Sequence, residues 1–168
     1  MSVTIRRAGA ADAQEILEYL KIVGGETDNL TFGAGGIPVT EAQQAAYLAS
    51  IAGSEKDLFL TAWLDGQLVG SASYATFSKR RMAHRGEFGI SVRQSAWGLG
   101  IGTLLLERLL AFAKDTAKAD IVSLEVRSDN VRAIRLYEKF GFEKIGCFRG
   151  YFKIRGQLID VDIMEKLL

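Results

Sequence analysis

Apolar residues recur along the chain with two periods, strict alternation and helical spacing, and the switches between them mark out its elements. "SVTIRRA" near the start reads as a strand, and Ala11-Asp12 leads into "AQEILEYLK", where Ile16, Leu17 and Leu20 recur at helical spacing. The stretch from Gly24 to Pro38, "GGETDNLTFGAGGIP", is rich in glycine, holds the only proline and predicts a loop. Thr40 stands where it can cap a second helix, "EAQQAAYLASIA". The runs "DLFLTAWL" and "QLVGSASYATF" flank Asp65-Gly66, a strong hairpin signal because both residues tolerate the left-handed backbone of a tight turn. A basic connector, "SKRRMAHR", precedes the strand "GEFGISV". A helix with a broad leucine face is expected from Gly102 to about Lys118, then a strand, "DIVSLEV". "NVRAIRLYEKFGF" predicts a short helix closed by Gly141, and "EKIGCFRGYFKI", Arg155-Gly156 and "QLIDVDIMEKL" a final hairpin.

The order β-α-α-β-β-β-α-β-α-β-β implies a mixed α/β sheet with one parallel crossover, from "GEFGISV" through the long helix to "DIVSLEV". A chain of 168 residues suits one domain, residues 1–168, with no internal repeat or linker. Lys plus Arg total 21 against 20 Asp plus Glu, so nothing draws the chain as a whole to nucleic acid or an anionic membrane. The start carries charges where a signal peptide needs an apolar stretch, and no run approaches the roughly 18 apolar residues of a membrane span. A cytoplasmic location is expected. One cysteine, Cys147, and one histidine, His84, cannot build a cysteine/histidine metal cluster or a disulfide, so no metal is expected.

The crossover carries "WGLGIG", Trp97 to Gly102, immediately before the long helix. The dinucleotide pattern GxGxxG fails, because its third glycine falls on Thr103 in one register and Leu105 in the other. The phosphate-loop pattern fails for want of a Gly-Lys-Ser/Thr ending. What remains is a helix N-terminus opened by a turn of little bulk, where backbone N–H groups can face one anion. A turn that only packs the helix on the sheet is the competing reading. In the later helix, Asn130 is placed to cap, and Ala133, Ile134 and Tyr137 share its stripe. Ala133 leaves room beside the helix, Asn130 offers an amide and Tyr137 a phenol, although an aromatic at helical spacing is also ordinary core.

Together, "GEFGISV", "WGLGIG" and "NVRAIRLYEKFGF", residues 86 to 142, closely resemble the central motifs of the GNAT superfamily of acetyl-CoA-dependent N-acetyltransferases, and "DGQLVGSASY" resembles its second and third strands. The family usually has Arg or Gln at the head of the turn, where this chain has Trp97. "LEVRSDN" is similar to the same stretch in the ribosomal-protein alanine N-acetyltransferases. The resemblance implies the GNAT fold with a splayed central strand pair, and transfer of an acetyl group from acetyl-CoA to a primary amine by direct attack in a ternary complex. It further implies that the turn residues Trp97, Gly98, Leu99, Gly100, Ile101, Gly102 and Thr103 hold the coenzyme pyrophosphate. Ile90, Ser91 and Val92 would hold the pantetheine, and Asn130, Ala133 and Tyr137 would complete the coenzyme site. Homodimers are common in the family, and the sequence locates no interface.

An alkylamine has a pKa near ~10.4, so at neutral pH it needs a base or a desolvating site before it can attack. Glu125 in "LEVRSDN" and Glu87 in "GEFGISV" are the candidate bases, and the competing reading pairs them with Arg85, Arg93 or Arg127. Tyr137 matches the family's acid for the departing thiolate. The resemblance also implies that the loop before Pro38 lines the acceptor side, where Glu26, Thr27 and Asp28 would serve an amine acceptor, either a small molecule or a peptide. An acyl-CoA-binding sensor that kept the fold and lost turnover is the alternative function. His84 and the Lys79–Arg81 cluster read as solvated, Cys147 as core, and Asp160 and Asp162 as facing water.

Overall fold

Both hairpins are built on left-handed turns. In the computed structural model, which describes residues 2–168, Asp65 and Gly66 have φ 49° and 83° between β2 (Asp57–Leu64) and β3 (Gln67–Thr76). Arg155 and Gly156 have φ 48° and 78° between β6 (Glu143–Ile154) and β7 (Gln157–Leu167). Positive φ at both central residues matches the twist of the flanking strands. The remaining elements are β1 (Val3–Arg7), α1 (Ala13–Glu26), α2 (Glu41–Ile51), β4 (Arg85–Val92), α3 (Ile101–Ala111), β5 (Ile121–Arg127) and α4 (Val131–Lys139). They form a seven-stranded mixed sheet of order β1-β2-β3-β4-β5-β7-β6, with β4 and β5 the one parallel pair.

Helices cover both faces, and the strands divide their side chains between them. Leu58, Leu60 and Ala62 of β2 pack in the core that receives Ile101, Leu105, Leu106 and Leu109 of α3. Phe59 and Trp63 pack on the opposite face with Ile16, Tyr19, Leu20 and Val23 of α1 and Leu48 of α2. This is why β2 reads as a continuous apolar run rather than an alternation. The Thr40 hydroxyl accepts from Gln43 N at 3.2 Å and Gln43 returns a bond to Thr40 N at 2.9 Å, a reciprocal cap for α2.

Four expectations are corrected. Helix α1 runs through Gly24 and Gly25 to Glu26 instead of stopping before Gly24. A Cβ at Gly24 would lie 2.2 Å from the Gly33 carbonyl oxygen, so glycine there admits the returning chain rather than ending the helix. Helix α3 ends at Ala111 and continues only as a π-helical turn over Phe112–Thr116, before Lys118 turns left-handed at φ 56°. Cys147 is exposed, because β6 is an edge strand. Asp162 is buried, with the Ser128 hydroxyl donating to it at 2.6 Å and Lys144 at 3.0 Å. Burial works to raise its pKa, but these two partners outweigh burial and hold it below the usual carboxylate value.

The functional geometry follows from one short ladder. β4 and β5 pair at only three positions, Arg85 with Ile121, Gly86 with Val122 and Glu87 with Ser123, and then separate. Gly86 sits in that ladder against the buried Tyr74 ring, whose Cε2 would lie 2.4 Å from an added Cβ. Gly86→Ala is expected to lower stability by about 1–3 kcal/mol, as overpacking in a closed core does. The measurement is urea unfolding: a lower midpoint with an unchanged slope supports the contact, and an unchanged midpoint refutes it.

Candidate active site

Where β4 leaves β5 it presents unpaired backbone. Phe77 N bonds to Arg85 O, and Arg93 N bonds to Val69 O, so the odd-numbered residues of β4 turn their backbone groups toward β3. Phe88, Ile90 and Val92 therefore turn theirs toward β5. Beyond Glu87 there is no β5 partner, which leaves the Ile90 backbone groups and the Val92 N–H open to a ligand lying as an added strand. Ser91 between them is fixed from the other side, where the buried Tyr19 hydroxyl donates to Ser91 O at 2.9 Å and lies 2.8 Å from Ser91 Oγ.

The chain then enters the glycine turn. Gly98 and Gly100 adopt φ 81° and 76°, which only glycine takes readily, and no atom lies within 4 Å of a Cβ built at either. Gly102 is helical and needs no such freedom; a Cβ there would meet Leu136 at an ordinary 3.5 Å. The N–H of Trp97 bonds to Gln94 O and that of Leu104 to Gly100 O. The N–H groups from Gly98 to Thr103 have no acceptor among the described residues, at the positive end of α3. Trp97 ties the turn to β4 by donating Nε1 to Val92 O at 2.8 Å. Arg132 of α4 lies over its ring at 4.7 Å, which places a cation beside the turn.

Helix α4 closes the split. The Asn130 side chain accepts from Ala133 N at 3.3 Å, which caps the helix and leaves its amide N–H donors free. Tyr137 is buried, its ring in edge contact with Phe88 and Phe142 at 5.9 and 6.0 Å. Its hydroxyl makes no hydrogen bond to any described residue, and burial pushes its pKa up to about 12. Two cavities meet here. One of about 380 Å³ is lined by Val92, Trp97, Gly98, Gly100 to Thr103 and Arg132; the other, of about 720 Å³, opens over Glu87 and Glu125. Ile90, Ser91, Asn130, Ala133 and Tyr137 line both, as do Asn29 and Leu30. Leu99, in the turn, is exposed.

The arginines that could neutralise the two glutamates are all engaged elsewhere. Arg85 pairs with Glu165 at 3.1 Å, Arg93 with Glu26 at 3.7 Å, and Arg127 grips Asp129 through two nitrogens at 2.9 and 2.7 Å. Glu87 and Glu125 have no ion-pair partner among the described residues. They lie on one face, because Glu87 pairs with Ser123 and Glu125 is two residues farther along β5. Glu26 instead accepts from Gln94 N at 2.7 Å, Asp28 pairs with Arg155, and Thr27 Oγ1 accepts from Asn29 N at 3.1 Å.

Three contributions have weak sequence signals. Arg132 over Trp97 requires α4 to be docked. Leu30 and Phe32 look like ordinary loop apolars. On β6, alternation would separate Tyr151 from Phe148 and Phe152, yet all three line the larger cavity. The pairing slips between Phe148 and Phe152 at a bulge where Gly150 has φ 59° and its N–H donates to Asp160 at 2.9 Å. The glycine in "FRGYF" is the signal that could have announced it. Among the described residues, no group of three or more His, Cys, Asp or Glu side chains could hold a metal, and no helix is long and apolar enough to cross a membrane.

Comparison with known proteins agrees with this geometry. The family model described as the acetyltransferase (GNAT) family matches residues 29–142. The L-amino acid N-acetyltransferase AaaT of Escherichia coli is 29% identical over 64% of this chain and 67% of its own length. The N-alpha-acetyltransferase RimI of Mycobacterium tuberculosis is 36% identical over 54% of this chain, a match that spans about half of that relative, 55%. A crystal structure of a GNAT-family acetyltransferase from Streptococcus pneumoniae superposes with a TM-score of 0.95 at 31% identity, covering 99% of this chain and 100% of that one. An open parallel pair, a bare helix N-terminus beside it and a motif match through both elements lead to one conclusion: the chain belongs to the GNAT family of acetyltransferases.

Proposed function

We propose that the chain transfers the acetyl group of acetyl-CoA to a primary amine by direct attack while both are bound. The observation that carries this reading is that the two cavities share Tyr137, whose hydroxyl has no partner among the described residues. The GNAT family uses acetyl-CoA, and the residues present fit it. Six backbone N–H groups without acceptors suit a pyrophosphate, Arg132 adds a cation, and the open edge at Ile90 and Val92 suits an amide-bearing arm.

Acetyl-CoA supplies a thioester acyl group and a thiolate leaving group. The rest falls to the chain. Glu125 and Glu87, directly or through water, take the proton that blocks the amine nitrogen. The nitrogen-carbon bond forms as the carbon-sulfur bond breaks, and an N–H of the open β4 edge at Ile90 or Val92 faces the oxygen that gains charge. Tyr137 donates a proton toward the departing sulfur and regains one from the nitrogen's second proton through the carboxylates or water, while the first ammonium proton passes to solvent and one N–H stays in the amide. The products are an amide and a free thiol.

Release of thiol on adding amines to protein and acetyl-CoA tests the reading. Coenzyme binding without release for every amine would favour the sensor. The carboxylates have their own signature. The double variant Glu87→Gln/Glu125→Gln is expected to lose about 100-fold in turnover at pH 7. It should recover as pH rises toward the acceptor's own pKa, ~10.4 for an alkylamine and ~8 for a peptide N-terminus, because free amine then no longer depends on the protein. A flat pH profile in the variant would remove both residues from proton transfer.

A further inference from the structure

The larger cavity also constrains what the amine is attached to. Its floor carries two carboxylates without ion pairs, Glu87 and Glu125, and its one arginine is already spent. Arg127 gives Nε and Nη2 to Asp129 and Nη1 to Asp28 O at 3.2 Å, so three of its five N–H groups are engaged and Asp129 already offsets its charge. The wall opposite is aromatic. Phe148 and Tyr151 lie 5.3 Å apart with planes tilted by 30°, and Phe152 meets Tyr151 edge-on at 5.3 Å. The Tyr151 hydroxyl sits toward the carboxylates: its pKa is raised chiefly by the approach of Glu125, then by partial burial and the charge of Glu87. Phe32, from the chain that returns over α1, lines the same cavity. Phe148 and Tyr151 are each 44% exposed, a large aromatic surface for an edge strand to leave uncovered.

Resting on the acetyltransferase reading above, we infer that the acceptor is a primary amine carried on an apolar or aromatic body with no carboxylate beside the nitrogen. Two carboxylates attract the ammonium and repel a third carboxylate, while the rings of β6 cover the apolar body. Free amino acids are therefore poor acceptors, and polyamines leave the rings unused. An aromatic residue at a peptide N-terminus and a small arylalkylamine share the required chemistry.

The test compares kcat/KM for L-phenylalaninamide, L-phenylalanine, glycinamide and spermidine by thiol release. With kcat/KM counted on the unprotonated amine, phenylalaninamide should exceed phenylalanine by about 100-fold, from like-charge repulsion. It should exceed glycinamide and spermidine by about tenfold or more, from burial of the ring. Phenethylamine and a tripeptide beginning with Phe separate the two sources: activity confined to the peptide assigns a peptide N-terminus, and activity confined to the small amine assigns that class. Phe148→Ala, on an exposed edge, should shrink the ratio of phenylalaninamide to glycinamide several-fold without abolishing turnover. Equal rates for phenylalanine and its amide, or a preference for spermidine, would overturn the inference and leave the acetyltransferase reading intact. Coenzyme binding with no thiol release from any amine would overturn both.

Discussion

Tyr137→Phe lowers turnover by about 100-fold while leaving the affinity for acetyl-CoA within a factor of about two, the expected signature of an interaction made only as the leaving group departs. The substitution removes one oxygen and keeps the ring, which is held edge-on between Phe88 and Phe142. A pKa of about 12 keeps the phenol protonated throughout the neutral range. Such a phenol is a weak acid beside a thiolate of pKa near ~8.5, so it contributes mainly as a hydrogen-bond donor until charge builds on sulfur. The raised pKa fixes the sign of the pH dependence. Activity rises with pH as the amine loses its proton, and the loss caused by Tyr137 ionising begins only above about pH 10. Thiol release and calorimetric titration on the same preparations check both halves. Equal turnover in wild type and variant would exclude Tyr137 from the reaction.

The second large effect is at the other end of the proposed coenzyme site. Gly100→Val should weaken acetyl-CoA binding by about 100-fold, the equivalent of one or two charge-assisted hydrogen bonds. Gly100 is at φ 76°, where a β-branched residue is strained, and its Cα faces open space where a ligand would lie against the turn. The strain itself costs about 1–2 kcal/mol of stability, so the folded protein remains available for titration. The same affinity in the variant and wild type would mean that the turn serves only to pack α3 on the sheet.

Much of the fold was legible because its turns are chemically explicit. Asp65-Gly66 and Arg155-Gly156 fix two hairpins, and the Thr40 cap starts α2 where expected. Gly24 misled, because glycine ends a helix and also admits a close neighbour, and only the position of Gly33 tells the two apart. The glycine turn announced bare backbone at the start of α3, although Gly98 and Gly100 carry its geometry and Gly102 does not need to. Identifying Glu87 and Glu125 required only residue types and a family likeness. Their lack of ion pairs required knowing where Arg85, Arg93 and Arg127 end up, which depends on Glu165, Glu26 and Asp129 from distant or neighbouring segments. The aromatic wall was hidden for a related reason: a bulge at Gly150 breaks the alternation from which strand faces are read.

The short ladder between β4 and β5 has a dynamic consequence. With three register pairs joining β1-β2-β3-β4 to β5-β7-β6, the backbone ladder between the two halves is short, and one core shared by both holds them together, so strand separation is cheapest beyond Glu87. A molecule seated against both halves adds its own binding free energy to the cost of parting them. Whichever molecule occupies the split first thus stiffens the chamber in which the other must be held, and the two binding events are coupled reciprocally by the sheet itself, without a moving lid.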